Sequence, residues 1–187
     1  MMVRDRSFQL AMFRENLAAL LCGFVLLLPL YFLEMKNVVW TAVFIMFLWQ
    51  TAVFDYLYGR IYNKILLAAA VAELLYLLCF RPEEITASLL AGLCAAGVMY
   101  LIRVLSHGGM GLGDIKYVFV LALGLGLVQG FFMMLAAFLA GGIFACFLLL
   151  FTSCKKTDAV PFAPFLSLGA YLALFWGEKL WNLWLTV

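Results

Sequence analysis

Charge is scarce in this sequence, and the scarcity decides what solvent the chain can live in. Of 187 residues, 12% are charged and 68% are hydrophobic. An ordinary soluble domain carries about 25% charged residues, so a soluble fold of this length could not hide so much apolar surface. Lipid can serve as solvent instead, provided every backbone polar group is bonded within helices or a closed barrel. Period-two alternation is also missing, which excludes a barrel and leaves long apolar helices. Nor is there a polar stretch large enough for a soluble domain. The longest segments between apolar runs are the N-terminal stretch, the glycine-rich loop near 106–114 and the loop 152–160.

Metal-ligating patterns are equally thin. His107 is the one histidine, and the five cysteines (Cys22, Cys79, Cys94, Cys146, Cys154) contain no CxxC pair. A zinc site draws on clustered Cys and His, so the cysteines read as small buried hydrophobes, and neither a metal nor a cofactor is expected. A net charge of +2 is too small to attract nucleic acid. The N-terminus has a basic start, but it lacks an A-x-A cleavage site, and Leu21 before Cys22 does not suit lipoprotein processing. Residues 1–15 mix charges of both signs with apolar residues, which fits a retained interfacial segment. Residues 16–187 then form a single transmembrane domain.

A helix needs about 20 apolar residues to cross the hydrocarbon core. Apolar runs between charges predict spans over 16–33, 38–54, 65–80 and 85–102. The charge-free stretch 117–154 divides at GLGLVQG (124–130), because glycines and Gln129 suit a turn better than a helix interior. This yields a short span over 115–128 and a fuller one over 131–151, and a last span runs from Pro161 to about 176. The expected fold is therefore all-α, a polytopic bundle of about seven spans. Cytoplasmic loops carry excess Lys and Arg. With the N-terminus inside, that side holds Arg4, Arg6, Arg14, Arg60, Lys64, Arg103, Lys116, Lys155 and Lys156, and the outer side holds Lys36, Arg81 and Lys179. The N-terminus is therefore predicted to be cytoplasmic. Trp40, Trp176, Trp181 and Trp184 lie near outer ends, as an aromatic belt would.

Two acids stand out in this topology. Asp55 ends the second span and Asp114 follows the fourth, so both reach the cytoplasmic side at similar depth. An ionisable residue in a span costs about 2.5–3.5 kcal/mol on insertion scales and usually has a task or a partner. The plain alternative is that both lie beyond the hydrocarbon and are simply solvated. Asp114 stands in SHGGMGLGDIKY, and Gly111 and Gly113 just before it let backbone approach another chain closely. Glu73 lies mid-span in KILLAAAVAELLYLLCF and should face the bundle interior.

GMGLGDIK (109–116) resembles the G-x-G-D-x-K signature of the type IV prepilin peptidases. DYLYGRIYN (55–63) resembles that family's first aspartate box, with Tyr62 where the family usually has proline. VPFAPFLSLGAYLAL (160–174) resembles its late Pro-Phe-x-Pro-Phe helix start. Longer family members carry a CxxC-bearing insertion and an N-methyltransferase activity, but residues 34–37 alone join the first two predicted spans. The resemblance therefore implies the peptidase step: an aspartic endopeptidase that cuts leaders from prepilin-like membrane proteins. It implies Asp55 and Asp114 as catalytic residues, and Gly111, Gly113, Lys116 and Asn63 as supporting or substrate-binding ones. Asn63 would orient the Asp55 loop. Lys116 would either tune the pair or anchor a span, and Arg60 and Lys64 read as topological anchors.

Other readings remain open on the residues alone. The presenilin-like group also uses G-x-G-D, but Phe54 precedes Asp55 here and no Pro-Ala-Leu motif follows. A small transporter would use Asp55, Asp114 and Glu73 as an ion path, ideally near the midplane. An accessory subunit without catalysis fits the same composition.

Overall fold

A computed structural model of the protein describes residues 38–151 and 161–186. The predicted interfacial segment 1–15 and span 16–33 lie outside the described residues, as do Lys36, Lys155 and Lys156 of the orientation argument. The elements in chain order are α1 (Val38–Tyr58), α2 (Asn63–Phe80), a 3-10 turn (Pro82–Glu84), α3 (Ile85–Leu105), α4 (Leu112–Phe151) and α5 (Ala163–Leu185). No strand occurs among the described residues.

Four segments among the described residues are long and apolar enough to cross a membrane: Val38–Tyr58, Asn63–Phe80, Pro82–Leu105 and Leu112–Leu148. Ala163–Gly177 is a shorter apolar helix. Apolar runs are helical here because a backbone in lipid must bond to itself. The helices also continue past the charges that bounded the predicted spans. α1 runs through Asp55 to Tyr58, and α3 runs through Arg103 to Leu105. Intrahelical bonding does not stop at the first polar side chain.

α4 is not one straight rod. Gly126 breaks its helical geometry at φ 78°, ψ −177°, a left-handed value that glycine adopts without a Cβ penalty. A Cβ built on Gly130 would lie 3.4 Å from the Cβ of Ala122, whereas eight residues of continuous helix rise about 12 Å. The chain therefore doubles back at Gly126. Its pairing with α5 agrees. The first arm meets α5 through Tyr117 and Ser167. The second arm runs antiparallel to α5, with Gln129 beside Gly177, Ala137 beside Gly169, and Gly141 beside Phe162. The first arm, 112–125, is about 21 Å long at 1.5 Å per residue, shorter than a hydrocarbon core of about 30 Å.

The core fills the space between α1, α3 and the two arms of α4, with α5 closing it. Phe44, Ile45, Met99, Leu121, Met133 and Leu166 are among its fully buried side chains. Cys79, Cys94 and Cys146 correct an expectation, since they lie exposed on helix surfaces rather than inside the bundle. A small thiol facing lipid loses no packing by being there.

Candidate active site

Asp55 sits one turn before the end of α1 and is only 7% exposed. It lies near the end of its helix, as expected of a residue that ends the second span, and it is enclosed rather than simply solvated. One carboxylate oxygen, Oδ2, accepts the Ala163 backbone N–H at 3.1 Å. That donor exists because of the local sequence around it. Ala163 opens α5, and helix N-termini leave their first N–H groups without intrahelical partners. Pro164 has no N–H to offer, while Phe165 and Leu166 donate to the Phe162 carbonyl. The Ala163 N–H is left to point at Asp55, where the positive end of the helix dipole also favours an anion.

Asp114 lies in the first turn of α4 rather than in a loop before it. With Gly111 at the cap, Asp114 occupies the third helical position, from which a carboxylate reaches back to the cap N–H. The Gly111 N–H bonds the Asp114 carboxyl in this way. Each glycine of G-x-G-D has a steric reason. A Cβ on Gly111 would stand 2.8 Å from Asp114 Oδ2, and one on Gly113 would stand 3.3 Å from the Cβ of Ile61. The first glycine makes room for the carboxylate, and the second lets α4 close on the segment that follows Asp55.

The two acids are brought together, near enough for the charge of Asp55 to act on Asp114. Two carboxylates in one site share a proton, because mutual repulsion disfavours double ionisation. One member can then take a proton while the other gives one. Lys116 and Asn63 also meet: Lys116 Nζ donates to Asn63 Oδ1 at 3.0 Å, on an exposed surface. The lysine thus ties the start of α4 to the start of α2. Arg60 and Lys64 are exposed. His107 occupies a left-handed turn position (φ 53°) with its ring exposed. Among the described residues, no group of three or more His, Cys, Asp or Glu could hold a metal ion.

Glu73 is separate from this pair. It faces inward from α2 and is 6% exposed. Its Oε2 accepts the Trp40 Nε1–H at 2.9 Å, and its carboxyl packs against Gly124. Sequence reading missed a second polar group altogether. Tyr117, entirely buried, places its hydroxyl 2.7 Å from Ser167 Oγ. Ser167 in turn donates to the carbonyl of Ala163 at 2.9 Å. The available signals were slight: a tyrosine three residues after Asp114 and a lone serine in FLSLGAY.

Comparison with known proteins fits this geometry. The chain is 35% identical over 146 residues to a "Prepilin leader peptidase/N-methyltransferase" of Bacillus subtilis (strain 168), covering 74% of this chain and 56% of the relative. A protein of the same description from Aeromonas salmonicida (strain A449) is 33% identical over 72 residues, which is 38% of this chain and 25% of that one. The chain thus spans about half or less of the length of these relatives. No solved structure matches it. Residues 42–146, more than half of the sequence and including both aspartates, match the Type IV leader peptidase family. The chain belongs to that family.

Proposed function

We propose that the chain is a membrane-embedded aspartic endopeptidase that removes the leader of type IV prepilin-like proteins at the cytoplasmic membrane face, with Asp55 and Asp114 as its catalytic pair. The observation that carries the reading is the convergence of these two acids from distant segments. One is enclosed and held by the Ala163 N–H, and the other is held by the Gly111 N–H. In the reaction, the ionised carboxylate takes a proton from a water, which attacks the scissile carbonyl. The protonated partner stabilises the developing oxyanion and helps protonate the leaving amine. No covalent intermediate is required, and neither a metal nor a cofactor. Gly111 and Gly113 let the Asp114 carboxylate and the segment after Asp55 pack closely beside the acids, and the Lys116–Asn63 pair braces the rim.

About seven spans in one transmembrane domain (16–187), with a cytoplasmic N-terminus, would put this site at the inner interface, in line with the basic bias of the loops. The substrate would lie in the bilayer beside the enzyme, its apolar helix in lipid and its leader in the cytoplasm. An ion-path reading is disfavoured by Glu73, which is held by Trp40 about 15 Å along α2 from Asn63, away from the other two acids. The test is processing of a reporter prepilin in membranes that contain the native chain or its Asp114→Asn variant. Leader loss with the native chain alone supports the proposal, and equal processing by both refutes it.

A further inference from the structure

Asp55 and Asp114 come from different helices, so catalysis by the pair requires those helices to be held at a fixed spacing. We infer that the buried Tyr117–Ser167 hydrogen bond, one helical turn beneath the aspartates, sets that spacing and makes Tyr117 and Ser167 positioning residues for the pair; the inference rests on the reading of Asp55 and Asp114 as catalytic.

The bond joins the two supports of the site. On α4, Tyr117 lies three residues after Asp114, and residues three apart share a helix face. On α5, Ser167 lies four residues after Ala163, whose N–H holds Asp55, and it bonds that residue's carbonyl. Ser167 has one proton and directs it to the Ala163 carbonyl, so the Tyr117 hydroxyl is the donor in the 2.7 Å contact. A third helix joins the same layer. Thr51 lies one turn before Asp55 on α1; its hydroxyl, which donates to the Phe47 carbonyl at 2.9 Å, lies beside that of Tyr117, while Phe47 packs edge-on against the tyrosine ring at 5.7 Å. The three helices that carry or hold the aspartates therefore meet in one buried cluster of hydroxyls.

Volume alone does not call for a hydroxyl at this point, since phenylalanine would fill nearly the same space. Apolar contacts are non-directional and tolerate sliding. A hydrogen bond of this length tolerates only a few tenths of an ångström. Such a constraint matters most where a displacement of about 1 Å costs about 100-fold in rate.

The test uses the full chain in membranes and a reporter prepilin, with kcat and KM measured for Tyr117→Phe, Ser167→Ala and the double variant, each normalised to the amount inserted. The inference expects kcat to fall about 10- to 100-fold with KM within about twofold, and the double variant to be no worse than the more impaired single, because both singles already remove the bond that the two residues share. Ser88→Ala, which removes a buried hydroxyl on α3, serves as the control and should keep native kcat. Single variants with native kcat, or losses that multiply in the double variant, overturn the inference while leaving the peptidase reading intact. A native chain that cleaves no reporter strikes the peptidase reading itself, and this inference with it. Should Tyr117→Phe fail to insert, Ser167→Ala, the smaller change, decides the question alone.

Discussion

Gly111→Ala should leave the fold standing and remove most of the activity. The added Cβ would stand 2.8 Å from Asp114 Oδ2, closer than real Cβ contacts allow. The obstructing atom is the end of a side chain, so a rotation of the carboxylate relieves the clash without moving backbone. That rotation also breaks the bond from the Gly111 N–H. Losing a hydrogen bond to a charged group costs about 1.5–3 kcal/mol, about 5–10 °C in melting temperature for a chain of this size. Activity should suffer more selectively. A displacement of about 1 Å costs about 100-fold, equivalent to about 2.7 kcal/mol at 1.36 kcal/mol per decade. Gly113→Ala provides the contrast. Its Cβ would meet Ile61 at 3.3 Å, which shifts a packing contact and leaves the carboxylate in place, so its loss should be several-fold at most. The assay is leader removal per inserted molecule, beside a thermal melt in detergent. Native activity in Gly111→Ala, or an equal loss from both substitutions, would refute this steric account of G-x-G-D.

Three further outcomes are expected. Glu73→Leu strands the Trp40 Nε1–H and should lower stability by about 1–3 kcal/mol, seen as a reduced melting temperature, with kcat per folded molecule unchanged. Gly169→Ala would drive a methyl into the Met133 carbonyl; backbone cannot rotate away, so folded protein should largely disappear from membranes. Lys116→Ala removes an exposed contact with Asn63 worth about 0–1 kcal/mol, so processing should drop no more than about fivefold.

Apolar runs located the helices well, because in lipid the run and the helix have the same cause. The helix ends were less legible. Asp55 and Arg103 looked like boundaries, yet α1 and α3 continue past both, since a helix can carry a polar residue that finds a partner. The break at Gly126 falls inside the GLGLVQG stretch read as a turn, although the chain reverses at one residue rather than through a seven-residue loop. Asp55 and Asp114 could be singled out because an acid in so apolar a chain is rare and the flanking motifs are specific. Their holders could not. The Ala163 N–H lies 108 residues from Asp55, and Ser167 lies 50 from Tyr117. No local pattern reports such a pairing, and a buried tyrosine reads as core until its hydroxyl partner is seen. Lys116 and Asn63 were both picked out by resemblance, but their contact with each other appears only once α2 and α4 are placed.

The most direct measurement is cleavage of a reporter prepilin by membranes carrying the native chain, Asp55→Asn or Asp114→Asn, with insertion checked for each. Cleavage by the native chain and loss of at least about 1,000-fold in both variants is the result the account predicts. An Asn variant of either residue that inserts normally and still cleaves at the native rate would contradict it.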